Sequence, residues 1–204
     1  MSLVTALVNQ KGGVGKTTIA VHLAYWLSQQ GSAILVDADV QQSSSNWLDD
    51  LKLPCSVSSD PEDLLDLISE LAQQYDAVVV DGPAGLTEVT KAILYSCDLA
   101  LIPCKPSGLD THSSNKIIRM LKQAQKIRGG MPKAALFLNQ ALKGTVLLKE
   151  SRELLSQTGV PLLSTTIYNR QNISDAPGQG ITVWLDSTSA AKSAAADFES
   201  LFRE

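Results

Sequence analysis

The chain has 204 residues, 44% of them apolar, enough for one domain with a large buried core and too few for two comfortable ones. A net charge of -4 excludes a general cationic field, so nucleic acid or anionic lipid could be held only by a local patch. Cys55, Cys97 and Cys104 show neither C-x-x-C spacing nor a nearby His, so no disulfide framework or zinc site is written here. They read as buried small hydrophobes. No basic leader, cleavage site or run of about 18 apolar residues follows the N-terminus, and a soluble cytoplasmic protein is expected.

Short apolar runs suit strands at 3–9, 32–39, 75–83, 97–106, 133–140 and 161–167, and their unbroken, β-branched character implies cover on both faces. Helical periodicity falls between them, at 16–30, 61–74, 86–95, 110–128, 145–158 and 187–203. Asp60-Pro61-Glu62-Asp63 and Ser187-Thr188 are helix starts, and Gly31 and Gly159 are expected stops. Residues 169–184, "NRQNISDAPGQGITVW", form the one long irregular segment, a length often functional in compact domains. The alternation predicts an α/β fold, a doubly wound, mostly parallel sheet with helices on both faces, spanning 1–204 as one domain. Ligands of such sheets lie beyond the carboxyl ends of the strands.

At the end of the first strand stands "NQKGGVGKTT" (9–18), close to the G-x-x-x-x-G-K-[ST] phosphate loop, with Gln10 in place of the first glycine. Gly12, Gly13 and Gly15 still let successive N–H groups around Val14 turn inward as an anion nest ahead of a helix. In that frame Lys16 reaches terminal phosphates, the Thr17 hydroxyl takes Mg²⁺, and Thr18 bonds an inner phosphate. A second ammonium, Lys11, would be repelled by Lys16 unless it faces outward or across.

"KGGVGKTT" resembles the deviant Walker A motif of the ParA/MinD group of P-loop ATPases, and the likeness runs over nearly the whole chain. "DADVQQSS" (37–44) is similar to the family's first switch, and "DGPAG" (81–85) to its Walker B and second switch. "NRQNISDAPGQGITV" (169–183) resembles the stretch that frames the adenine. Val40 departs from the family's usual proline, and Gly82-Pro83-Ala84-Gly85 is more flexible than common versions.

Among the carboxylates, Asp81 ends an apolar strand beside the phosphates and can hold Mg²⁺ through water, while Asp39 is placed to orient the attacking water. For Asp37 the resemblance implies a supporting or Mg²⁺-shell part, against the plainer alternative of turn capping. Asn139 is open between a base contact and a loop tie; without N-K-x-D at 139–142, ATP is favoured over GTP. By resemblance, Pro177 packs along the adenine.

The family also implies that Lys11 enters the partner subunit's site, giving an ATP-bound homodimer. With no arginine near the motifs, Lys11 would neutralise charge developing in phosphoryl transfer, with slow basal turnover. Lys116, Arg119, Lys122 and Lys126 lie within about one third of a helix circumference, with Ile117, Ile118, Leu121, Ala124 and Ile127 on the other side. With Arg170, and with Lys192 and Arg203 as further candidates, this stripe would hold DNA nonspecifically, as the resemblance to the short ParA branch suggests. That branch implies nucleoid association, a ParB-like or adaptor partner that stimulates hydrolysis, and a plasmid, chromosome or carboxysome-type cargo.

The early first strand leaves no expected helix-turn-helix, and "AAADFESLFRE" is too poor in cations for a membrane helix; Phe198, Leu201 and Phe202 are expected in the core. Three other readings are a MinD-like membrane-associated division regulator, a metabolic P-loop enzyme, and an iron-sulfur reductase relative needing a dimer-bridging cysteine pair.

Overall fold

The computed structural model describes residues 2–107 and 110–204, and side chains at all of these except 110–114. Among the described residues, seven parallel strands form one sheet: β1 (Leu3–Asn9), β2 (Ala33–Asp37), β3 (Cys55–Val57), β4 (Ala77–Ala84), β5 (Leu99–Cys104), β6 (Lys133–Ala141) and β7 (Leu162–Tyr168). Their order is β3-β2-β4-β1-β5-β6-β7. The helices are α1 (Lys16–Ser28), α2 (Ser43–Leu51), α3 (Pro61–Gln74), α4 (Glu88–Ser96), α5 (Asp110–Ile127), α6 (Val146–Ser156), α7 (Gln171–Gln179) and α8 (Ser189–Arg203).

Side chains alternate across each strand, which builds a core on each face. Val4, Ala6 and Val8 of β1 enter the layer completed by Leu64 and Ile68 of α3, Ile93 of α4 and Ile117 of α5. Leu7, Leu35 and Val79 point the other way, onto Ile19 of α1, Trp47 of α2 and Phe198 of α8. Each fully buried Leu, Ile or Phe contributes about 2 kcal/mol, so these layers hold the sheet while its carboxyl edge stays open for loops. Asp60 caps α3 by accepting from the amides of Glu62 and Asp63, at 2.9 and 3.1 Å, and Thr188 caps α8 from Ala191 at 3.2 Å.

Several expectations are corrected. The segment 169–184 is not wholly irregular: α7 occupies Gln171–Gln179 and stops at Gly180 in the left-handed region, with Pro177 in its last turn. The short α2 and edge strand β3 were absent from the periodicity. Helix α1 ends at Ser28, before Gly31, and Ile127 is 70% exposed, outside the core face of α5. Cys97 and Cys104 are buried while Cys55 is only half-buried, and a core position for the first two does not suit a dimer-bridging cluster. Phe198 and Leu201 are buried as expected, with Phe202 packed against them. Among the described residues, no helix is long and apolar enough to cross a membrane.

The register brings chemistry to one place. Asp37 of β2 stands beside Asp81 of β4, and Asp81 pairs in turn with Leu7 of β1, two residues short of the glycine loop.

Candidate nucleotide and magnesium site

The loop between β1 and α1 is held open from outside. Gly13 and Gly15 adopt φ of 71° and 88°, and Gly15 caps α1 with no side chain to offer, leaving the first-turn amides to an anion. A Cβ at Gly15 would run into the Asn139 amide, whose Nδ2 donates to the Val14 carbonyl at 2.7 Å. Gln140 Nε2 donates to the Gly13 carbonyl at 3.1 Å. Bonding these carbonyls outward orients the opposite N–H groups inward, the geometry of an anion nest. On the other flank Asn9 Nδ2 donates to the Pro103 carbonyl at 2.7 Å, and its Oδ1 accepts from the Lys11 amide at 3.2 Å. Gln10 donates no glycine freedom, but its carbonyl accepts from the Gly85 amide at 2.9 Å, which ties the loop to the turn after β4.

Lys16 is buried, and its Nζ reaches the Lys11 carbonyl at 3.4 Å. Burial lowers its pKa, opposed by the charges of Asp81 and Asp39. Asp81 is 1% exposed, and neither carboxylate oxygen has a hydrogen-bond partner. Its pKa is pushed up to about 7, chiefly by desolvation and also by Asp37, against the lowering effect of Lys16 and of the adjacent Thr17 and Ser44 hydroxyls. Those hydroxyls face the carboxylate without reaching hydrogen-bond geometry, and Ser44 Oγ is likewise buried without a partner. An orphaned carboxylate beside two hydroxyls and a lysine fits a hard divalent cation that keeps waters and shares phosphate oxygens; Thr17 and Asp81 would hold it.

Asp37 is fully buried and has a definite structural task. Its Oδ1 accepts from the Asp39 amide at 3.1 Å and its Oδ2 from the Ser45 amide at 2.9 Å, pinning both ends of the 38–45 turn. These bonds are those of the turn-capping alternative. Asp39 is half-buried and accepts from the Gln41 amide at 3.1 Å, and Val40 is 73% exposed beside it.

A cavity of about 190 Å³ opens beside the loop, bordered by Thr18, Asn139, Tyr168, Arg170, Ile173 and Pro177. The structure thus brings Asn139 and Pro177 together as walls of one pocket, and Asn139 is at the same time the loop tie. Sequence reasoning passed over what supports it. The buried ring of His22 donates from Nδ1 to the Thr18 carbonyl at 2.7 Å and accepts at Nε2 from the Val183 amide at 3.3 Å, which assigns its neutral tautomer. Trp47 of α2 donates to the Ile181 carbonyl at 3.0 Å. One lone His in an apolar helix and one Trp among serines carry no spacing signal; only the fold joins them.

The other candidates lie apart. Lys116, Arg119, Lys122 and Lys126 are exposed along α5, with Ile117, Ile118, Leu121 and Ala124 buried behind them. Arg170 leaves this set: its Nη2 is 2.6 Å from Asp197, partly buried, and it borders the cavity, so its charge is already spent within the fold. Arg203 lies over the Trp26 ring at 5.9 Å, and Lys192 remains exposed on α8. Lys11 is half-buried at the mouth of the loop.

Residues 5–183 match the model of the CobQ/CobB/MinD/ParA nucleotide binding domain. The maintenance of carboxysome distribution protein A of Halothiobacillus neapolitanus is 35% identical over 187 residues, covering 88% of this chain and 85% of that protein. A Cyanothece McdA variant in complex with ATP superposes with TM-score 0.75 at 18% identity, covering 98% of this chain and 96% of that one. The Pyrococcus furiosus cell division ATPase MinD superposes with TM-score 0.78 at 21% identity, covering 100% and 99%. These last two likenesses show the fold.

Proposed function

Since the chain belongs to the CobQ/CobB/MinD/ParA nucleotide-binding family, we propose that it is an ATPase whose ATP-bound dimer positions a cargo. The observation that carries this reading is the buried, unpartnered Asp81 carboxylate facing Thr17 and Lys16 beneath an open glycine nest. The nest binds the phosphates, Lys16 contacts the terminal one, and the Thr18–Pro177 cavity takes the adenine. Thr17 and Asp81 would hold Mg²⁺, which would supply charge neutralisation to the phosphates. Asp39 orients the attacking water, and Asp37 fixes the turn that carries it.

Lys11 completes the partner's site rather than its own, where Lys16 already serves. Val40, Leu142 and Val146, exposed by 73%, 59% and 70%, lie in the loop after β2 and around the end of β6, apolar surface that a dimer at the carboxyl edge would cover. Hydrolysis removes the phosphate that Lys11 and the two switch turns grip, so the dimer loosens. The α5 stripe of each subunit gives the dimer a doubled set of phosphate contacts for nonspecific DNA, and with it nucleoid association. A ParB-like or adaptor protein accelerates turnover.

The cargo is of the protein-compartment kind, supported by the carboxysome-distribution relative; plasmid or chromosome partition is the neighbouring variant. The test is ATP turnover with and without duplex DNA and a candidate adaptor protein. Turnover raised by the two together is expected; flat turnover under all conditions contradicts the reading.

A further inference from the structure

Larger cavities than the one beside the phosphate loop lie between α3 and α4. One of about 390 Å³ opens beside Asp60, Glu62 and Glu88 at the start of the two helices, and another of about 510 Å³ reaches Ser2 and Asp98 at their far end. Leu65 and Tyr95 border both, so the two cavities adjoin along the α3–α4 seam. These two residues are 41% and 39% exposed, large apolar surface where the two cavities meet.

The charged lining is mostly acidic. Asp60, Glu62, Glu88 and Asp98 border the two cavities, and no Lys or Arg occurs in the sequence between Lys52 and Lys91. Lys91, the one cation that borders the groove, is tied to Glu88 at 2.6 Å. An acidic rim repels nucleic acid and anionic lipid and attracts lysine and arginine. A groove between two helices is in turn the natural seat of a third, laid in with its apolar stripe down.

We propose that the α3–α4 groove docks a basic amphipathic helix of a partner protein, with Leu65 and Tyr95 as its apolar anchors and Asp60 and Glu62, at the start of α3, as its charge partners. This names the docking surface for the adaptor invoked above and rests on that reading only for the partner's effect on turnover. The route to the site is short: α4 follows the second switch directly, and Thr90 Oγ1 donates to the Gly85 carbonyl at 3.0 Å, while the Gly85 amide donates to Gln10 of the phosphate loop. A helix gripping α4 therefore bears on the turn that senses the nucleotide.

The probe is an 18-residue peptide with leucines at helical i, i+4, i+7 spacing and lysines elsewhere, added to the nucleotide-free protein and followed by amide chemical shifts. Shifts confined to 60–73 and 88–98 are expected, with affinity reduced at least tenfold in the Leu65→Ser/Tyr95→Ser double variant and in Glu62→Lys. Both positions of the double variant are already exposed, so the fold and basal turnover stay unchanged. Shifts elsewhere, no binding, or equal binding by a peptide with glutamate for lysine overturns the proposal. Because no ATP is present, a failure here is distinct from a failure of the ATPase reading.

Discussion

His22 and Phe198 lie in a parallel stack, with 4.3 Å between ring centres and 5° between planes, and the imidazole bridges Thr18 to Val183 from inside that stack. Complete burial lowers the His22 pKa to about 4, against a hydrogen bond to the Thr18 carbonyl that raises it. The fold therefore favours the neutral ring. Its stabilisation is fully present above the unfolded pKa of about 6.5 and is lost as pH falls toward 4. Relative to His22→Gln, the wild-type protein should lose about 3 kcal/mol between pH 7.5 and pH 4, measured by urea unfolding of both proteins. A constant difference across that range removes His22 as the titrating group.

Gly15→Ala places a Cβ against the Asn139 amide at a φ of 88°. Either Asn139 releases Val14 or the loop shifts, and both disturb the nest, so affinity for a fluorescent ATP analogue should fall at least tenfold. Asn139→Ala, which removes the tie and keeps the glycine, should weaken binding less while leaving the fold intact by circular dichroism.

Asp81→Asn should raise the melting temperature of the nucleotide-free protein by several degrees at pH 8, because it removes a buried carboxylate that has no hydrogen-bond partner. The same change should abolish the contribution of Mg²⁺ to ATP affinity, read by titration with and without EDTA. A lowered melting temperature would mean that the carboxylate has a stabilising partner in solution.

Lys116→Glu/Arg119→Glu should weaken binding to random-sequence duplex and flatten its dependence on salt, with ATP binding retained. Arg170→Ala should behave differently. It breaks the partly buried pair with Asp197 and should cost about 2 kcal/mol of stability, with little change in the salt dependence of DNA binding.

The central strands and most helices were legible because sheet burial on both faces writes itself as runs such as Ala77–Val80, and because caps such as Asp60 mark helix starts. Helix α2 was not, since "SSSNWLDDL" begins from Gln42 in the left-handed region and buries only Ser44, Trp47 and Leu48. Helix α7 was hidden by Pro177-Gly178, which look like breakers although the helix runs through them to Gln179. Within the site, Lys16 and Thr17 were proposed from their spacing in the glycine loop, and Asp81 from its place at the end of an apolar strand. The contacts Asn139–Val14, Gln10–Gly85 and His22–Val183 join segments far apart in sequence, and only the sheet order brings them together. Arg170 shows the opposite case: its charge was plain in sequence, and its partner Asp197 was not.

The second lysine of the phosphate loop carries the central claim, that ATP gates a dimer through Lys11. Light scattering after size exclusion, with Mg-ATP and with Mg-ADP, measures it on wild-type protein and on Lys11→Ala. The account predicts an ATP-dependent dimer for the wild type, and for Lys11→Ala a monomer that still binds ATP. A wild type that stays monomeric with ATP, or a Lys11→Ala protein that dimerises as well as the wild type, would contradict it.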